Sequence, residues 1–176
     1  TDIVRVDSFN NADYQIEFKN YDDQNGEVSP LIIDKVTNNN VTFVITNTAQ
    51  EAQLGFLLNQ NDEHAILLHS KYTKQDKAEW FDRVYKCFKQ NGSGNFQILR
   101  SGPIVQASLN ISCERMFTDM TSPENWLQRL GRLDRFDSNH SLNIYTTVLP
   151  KSAETGKQSS SKAKFSPTVR IVVTPT

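Results

Sequence analysis

The sequence predicts an α/β domain in which a mostly parallel sheet carries helices on both faces. Three observations predict it. VTFVITNT (from Val41) and HAILLHS (from His64) are short apolar runs rich in β-branched or aliphatic residues, as strands buried on both faces require. Segments of helical period separate the runs, and strands alternating with helices imply crossover connections between parallel neighbours. The polar residues of interest also fall just after strands, where ligands sit in such sheets.

Residues 1–30 are polar and mixed. Tyr14, Ile16 and Phe18 alternate like a short strand and Asp22 to Gly26 reads as a turn, so this part is expected to be an edge hairpin or a linker. The folded domain is expected over 31–150. After the strand from Val41, Thr48 is placed to cap a helix running to about Asn59 with Ala49, Ala52, Phe56 and Leu57 inward. The second strand spans His64 to His69. The next helix puts Phe81, Val84, Tyr85 and Phe88 at i, i+3, i+4 and i+7, and the glycines of NGSG break it. Phe96 to Leu99, Arg115 to Thr118 and Leu142 to Val148 read as the remaining strands. Residues 151–176 read as a flexible Ser/Lys-rich linker to Lys164, then a candidate edge strand over Thr168 to Thr174.

The most informative stretch is SPENWLQRLGRLDRF, Ser122 to Phe136. Ser122 can cap a helix and Pro123 suits its first position. At 100° per residue, Trp126, Leu127, Leu130 and Leu133 share one arc, Gln128, Arg132 and Arg135 lie nearly opposite, and Arg129 falls on the boundary. A solvated Arg-rich surface helix would explain a random QxxxRxxR. The fuller QRxGRxxR pattern is more specific, because Gly131 lets a ligand approach the backbone and guanidiniums match phosphate oxygens bidentately.

Composition narrows the classes further. A chain of 176 residues is long enough for one core, and its net charge of −1 projects no global field toward nucleic acid, so any such contact must be local. No apolar run approaches the roughly 18 residues of a membrane span. Cys87 and Cys113 lie in apolar surroundings without metal spacing and read as reduced core thiols of a cytoplasmic protein. His64, His69 and His140 form no ligand cluster, and His69 reads as a strand-end residue; no metal site is expected. A start at Thr1, with neither Met nor a leader, leads us to expect a piece of something longer.

QRLGRLDR closely resembles motif VI of superfamily 2 helicases. GPIVQASLNI (Gly102 to Ile111), followed by a strand and then SPENWLQRLGRLDR, resembles motifs V and VI of the CRISPR-associated helicase–nuclease of type I systems. Upstream, VITNT (Val44 to Thr48) and ILLHSKYTKQDK (Ile66 to Lys77) resemble two further phrases of that family, in the same order. The resemblance covers roughly Val41 to Phe136. It implies a second RecA-like helicase lobe that works with ATP and Mg²⁺ held mainly by a first lobe.

By the same resemblance Arg132 and Arg135 act as arginine fingers, and Gln128 helps to position the attacking water. Gly102, Asn110, Arg129 and Gly131 belong to the nucleotide side, with Arg129 expected to pair with a carboxylate inside the lobe. Asn47, Thr48, Ser70, Lys71 and Ser101 are the candidate contacts to single-stranded DNA; strand-end capping is the plain alternative for each. Implied partners are single-stranded DNA, the N-terminal RecA-like lobe, an HD nuclease domain and the guide-RNA surveillance complex, with no membrane.

Gly102 and Pro103 stand where the family has Thr and Gln, Gln106 stands for Glu, and Asn110 for Asp. Ser101 is then the candidate substitute for the lost hydroxyl. No G-x-x-x-x-G-K-[ST] phosphate loop, Asp-Glu box or HD nuclease motif is found, so this chain alone is expected to be inactive. Rival readings are a degenerate lobe kept as a docking module and a lobe of an RNA helicase or restriction-type motor.

Overall fold

A computed structural model describes residues 14–34, 36, 40–59, 64–105, 109–138 and 142–155. Six strands, all parallel, form one sheet in the order β1-β6-β5-β2-β4-β3. They are β1 (Tyr14–Tyr21), β2 (Thr42–Ile45), β3 (Ala65–Leu68), β4 (Ile98–Ser101), β5 (Arg115–Asp119) and β6 (Asn143–Pro150). The helices are α1 (Pro30–Ile33), α2 (Ala49–Leu58), α3 (Lys74–Phe88), α4 (Pro123–Leu130) and α5 (Lys151–Thr155).

Alternation along the strands assigns the faces. Ile16, Tyr145, Met116, Phe43, Leu99 and Ile66 are in register across the sheet and buried, and they join Val84, Cys87 and Phe88 of α3 and Leu133 in one core. Trp126 and Leu130 of α4 pack against that core. The opposite face puts Val44 and Val148 against Leu31 of α1, beside α2.

The sequence expectation and the structure differ at three elements. The segment expected as a hairpin or linker contributes β1, which runs parallel to β6 as an edge strand. β4 lies two residues later than expected, so Arg100 and Ser101 are inside the strand, 2% and 0% exposed. The cause is a set of local partners: Arg100 donates to the carbonyls of Leu31 (2.7 Å) and Asp34 (3.1 Å), which lie at the end of α1. Lys151–Thr155, expected as the start of a flexible linker, is helical; Lys151 pairs with Asp22 at 2.6 Å, and the Ser152 N–H donates to Asp23. The candidate strand over 168–174 lies outside the described residues.

On α2 the inward face is Ala49, Ala52 and Gly55, while Leu57 is 59% exposed rather than inward. Small residues let α2 approach α1 and the sheet closely. A Cβ at Gly55 would sit 2.7 Å from Nη1 of Arg100 and 3.3 Å from the Leu31 carbonyl. Gly55→Ala therefore displaces a buried guanidinium from its acceptor and should cost about 1–3 kcal/mol in urea denaturation. A change within about 0.5 kcal/mol would mean that the Arg100 contact is dispensable.

Candidate nucleotide-facing turn and strand-end site

The Arg-rich stretch starts as expected. Ser122 caps α4 and Pro123 opens it. The helix then stops at Leu130, well short of Phe136, and Gly131 follows as its C-cap. Residues 131–136 form turns in which Asp134 adopts φ 46°, and Leu133 bridges to Cys113 just before β5. The expected stripe is broken accordingly: Trp126 and Leu130 are half-buried, Leu127 is 60% exposed, and Leu133 is buried from the turn rather than from the helix. Trp126 is fixed by a 2.9 Å bond from its indole N–H to Thr147 and an edge contact with Tyr145.

This early stop separates the three arginines. Arg129, expected at a boundary, is 1% exposed. Its Nη1 donates to the Thr118 hydroxyl (2.5 Å) and the Asp119 carbonyl (3.1 Å), and its Nη2 donates to Asn47 Oδ1 (3.0 Å). These contacts are to a hydroxyl, a main-chain carbonyl and an amide, and the Asp119 carboxylate acts on the guanidinium through its charge. Burial holds its pKa below the ordinary value.

Arg132, expected on an outward face, is 8% exposed, and its Nη1 bonds the Leu109 carbonyl. Arg135 is exposed. Its Nε donates to Asn110 Oδ1 at 2.5 Å, its Nη1 to the Gly131 carbonyl at 3.2 Å, and its main-chain N–H to Ser112 Oγ at 2.9 Å. Among the described residues no acceptor contacts its Nη2. Gln128 is exposed on α4.

Asp134, which the sequence reading passed over, holds this turn. Its carboxylate accepts from the Ser138 N–H (3.0 Å) and Asn143 Nδ2 (3.2 Å), and its own N–H donates to Cys113 (2.8 Å). An Asp between two turn residues was the available signal, because short polar side chains tolerate the left-handed region. A Cβ at Gly131 would come no closer than 3.6 Å to any neighbour, and φ is −66°. The lobe's own packing does not demand glycine there.

The candidate residues do not converge on one site. α4 runs antiparallel to the strands, so it carries Gly131, Arg132 and Arg135 to the sheet's amino edge, where Asn110 joins them. Asn47, Thr48, Ser70 and Lys71 follow strands and lie at the carboxyl edge, a strand length away. Gly102 is at that edge too, apart from Asn110. It is buried, a Cβ there would lie 3.2 Å from Ala49 Cα, and its N–H donates to Leu68. Ser101 Oγ lies 2.9 Å from the carbonyls of both Leu68 and Gly102. Ser101 and Gly102 are thus both buried at the end of β4, with their polar groups bonded within the fold.

Thr48 and Glu51 form a reciprocal capping box on α2. Asn47 donates its main-chain N–H to Asp119 (2.9 Å) and its amide to Met120 (2.7 Å). Ser70 and Lys71 are exposed. His69 is 5% exposed; its Nδ1 accepts the Lys71 N–H, its Nε2 lies 3.0 Å from Gln53 Nε2, and burial lowers its pKa. Among the described residues no His, Cys, Asp and Glu group is placed to hold a metal ion, and no helix is long and apolar enough to cross a membrane.

Residues 38–138 match the family model described as the CRISPR-associated nuclease/helicase Cas3, C-terminal. The chain belongs to this Cas3 C-terminal family. Similar relatives include the CRISPR-associated endonuclease/helicase Cas3 of Escherichia coli, 29% identical over 99 residues, 53% of this chain and 11% of that protein. A putative CRISPR-associated nuclease/helicase Cas3 of Methanocaldococcus jannaschii is 26% identical over 93 residues, 52% of this chain and 13% of that one. The chain thus spans a small part of either relative. Cas3 of T. fusca, solved with ATP, matches the fold at TM-score 0.67 and 17% identity, covering 85% of this chain and 20% of that chain. The E. coli DEAD-box protein SrmB matches at TM-score 0.55 and 14% identity, covering 82% and 80%. The six-stranded parallel sheet is the RecA-like fold of the Cas3 C-terminal helicase lobe.

Asp119, at the end of β5, has the most displaced carboxyl among the described residues. Burial pushes its pKa from 3.8 up to about 6, outweighing the Asn47 N–H and the nearby Arg129 charge. That balance is consistent with Arg129 binding the Asp119 main chain rather than its carboxylate. A carboxyl with a folded pKa above its unfolded one takes up protons on folding, so its contribution is full at low pH and lost as pH rises from 3.8 through about 6. Asp119→Asn should remove that loss. Urea denaturation should show the variant gaining about 1–3 kcal/mol on wild type between pH 4 and pH 7; a constant difference would place the Asp119 carboxylate in solvent.

Proposed function

We propose that this chain is the second motor lobe of an ATP-dependent superfamily 2 DNA helicase that translocates on single-stranded DNA in type I CRISPR interference. It acts within a longer protein whose N-terminal RecA-like lobe carries most of the ATP and Mg²⁺ site, with an HD nuclease domain as a further partner. The surveillance-complex partnership rests on the family and on a matched chain in a structure of a CRISPR RNA-guided surveillance complex, pre-nicking, at TM-score 0.60 and 18% identity.

The observation that carries the reading is Arg135: exposed, held at two of its three nitrogens by Asn110 and Gly131, and flanked by a glycine that the lobe does not itself require. These contacts pre-orient the guanidinium, so little side-chain freedom is lost when it meets phosphate oxygens. Bound ATP with Mg²⁺ supplies the transferable phosphoryl group. Arg135 stabilises charge that develops on it, and Gln128 orients water. Arg132 anchors the motif V segment through the Leu109 carbonyl and thereby sets the height of the turn. The family's aspartate is replaced by Asn110, yet the amide oxygen still accepts from Arg135. That favours a working lobe over the degenerate docking module.

At the other edge, Ser70 and Lys71 meet DNA phosphates, with Asn47 and Thr48 shaping the loop they share with β2. Such contacts read no sequence and weaken with salt.

DNA-stimulated ATPase of the parent protein tests this reading, wild type beside Arg135→Ala. Stimulation in wild type and a loss of about 10³-fold or more in the variant is expected. An Arg135→Ala enzyme with wild-type turnover would reject the finger. Stimulation by RNA in place of DNA would favour the RNA-helicase branch.

A further inference from the structure

Beyond the strand ends, four flat groups stack in sequence beside β3. The His69 ring lies 3.9 Å from Tyr72, at 21°; Tyr72 lies 5.8 Å from Trp80, at 14°; and the Arg83 guanidinium lies 5.0 Å from the Trp80 ring. The inner end is fixed. His69 is buried against Gln53, and the Tyr72 hydroxyl donates to the Leu67 carbonyl at 3.0 Å. The outer end is not: Trp80 is half-buried, and Arg83 is exposed and, among the described residues, otherwise paired only with Glu79 at 2.7 Å, side chains 52% and 63% exposed.

Local charge points the same way. Residues 70–89 carry six Lys or Arg against three Asp or Glu, a surplus of three in a chain whose net charge is −1. Two of the acids are taken by pairs with Arg83 and Lys86, and the third, Asp76, accepts from the Thr73 hydroxyl at the start of α3. Lys71, Lys74 and Lys77 lie on the approach to the stack, and Lys71 is the residue placed on DNA at the strand end.

The geometry points to Trp80 and Arg83 as a base-stacking extension of the single-stranded DNA track, leading from Ser70 and Lys71 onto the face of α3. This rests on the reading of the strand ends as a DNA contact. An exposed Arg–Glu pair and a cation–π contact are weak, whereas a base on an indole face is a stronger and sequence-tolerant contact. An incoming base therefore displaces Arg83 from Trp80 and stacks there. The freed guanidinium then pairs with a backbone phosphate, while Tyr72 and His69 hold the platform rigid from behind.

The chain has two tryptophans, Trp80 and Trp126, and Trp126 is tied to Thr147 on the other side of the core, so emission reports on the platform. The test titrates the chain at low salt with an oligothymidylate of about 16 nucleotides, reading tryptophan emission together with anisotropy of a labelled copy. Saturable quenching is expected in wild type and not in Trp80→Phe. Trp80→Ala should bind about 5- to 150-fold more weakly with an unchanged circular dichroism spectrum. Binding with constant emission and a wild-type affinity for Trp80→Ala would overturn the platform and leave the strand-end contact standing. No binding by the wild-type chain would overturn both.

Discussion

The lobe depends most on one buried guanidinium. Arg129 reaches from α4 to the end of the preceding strand, β5, through Thr118 and Asp119, and on to Asn47 in the loop after β2, 82 residues earlier in the chain. A charge buried this deeply is tolerated only when its donors are satisfied. The contact also explains its surroundings. Asn47 is held by Arg129 on one side of its amide and Met120 on the other, so the turn that sends the chain into the Thr48 cap is fixed. Arg129 bonds the Asp119 main-chain carbonyl, and burial of the Asp119 carboxylate outweighs the Asn47 N–H and the nearby guanidinium charge, so its pKa rises.

The second constraint is where α4 ends. Continued to Phe136, the helix would have presented Arg132 and Arg135 together on one solvent face. It ends at Leu130, and the left-handed Asp134 turns the chain so that Arg132 points inward to the Leu109 carbonyl and Arg135 outward beside Asn110. Three arginines within seven residues thus do three things: one ties the sheet to its helix, one ties the turn to the preceding loop, and one stays available. Placement of that turn at the amino edge leaves the carboxyl edge to another ligand, an arrangement suited to a motor with fuel and track on separate surfaces.

Much of this was legible in the sequence, for physical reasons that also mark the limits. Apolar runs rich in β-branched or aliphatic residues located β2 and β3 because strands buried on both faces tolerate little else, and Thr48 and Ser122 cap helices as their side chains lead one to expect. Periodicity could not show where α4 stops, since Leu133 fits a helical stripe and a turn bridge equally well. Nor could it show that Arg100 enters β4, which depends on carbonyls at the end of α1 and on the space left by Gly55. β1 looked like half a hairpin because its partner, β6, lies more than a hundred residues away. In the QRxGRxxR pattern, spacing set Arg129 apart on the boundary but gave Arg132 and Arg135 the same outward face, which the turn after Leu130 divides.

The most direct test of this division is equilibrium unfolding of the chain, Arg129→Ala beside Arg135→Ala. Removal of Arg129 leaves the buried Thr118 hydroxyl and the half-buried Asp119 carbonyl without their donor, takes a large buried side chain out of the packing, and should cost about 3–5 kcal/mol, lowering the melting temperature by roughly 6–20 °C. Removal of Arg135, an exposed side chain, should stay within about 0.5 kcal/mol of wild type. Equal losses in the two variants, or a larger loss for Arg135→Ala, would contradict the account.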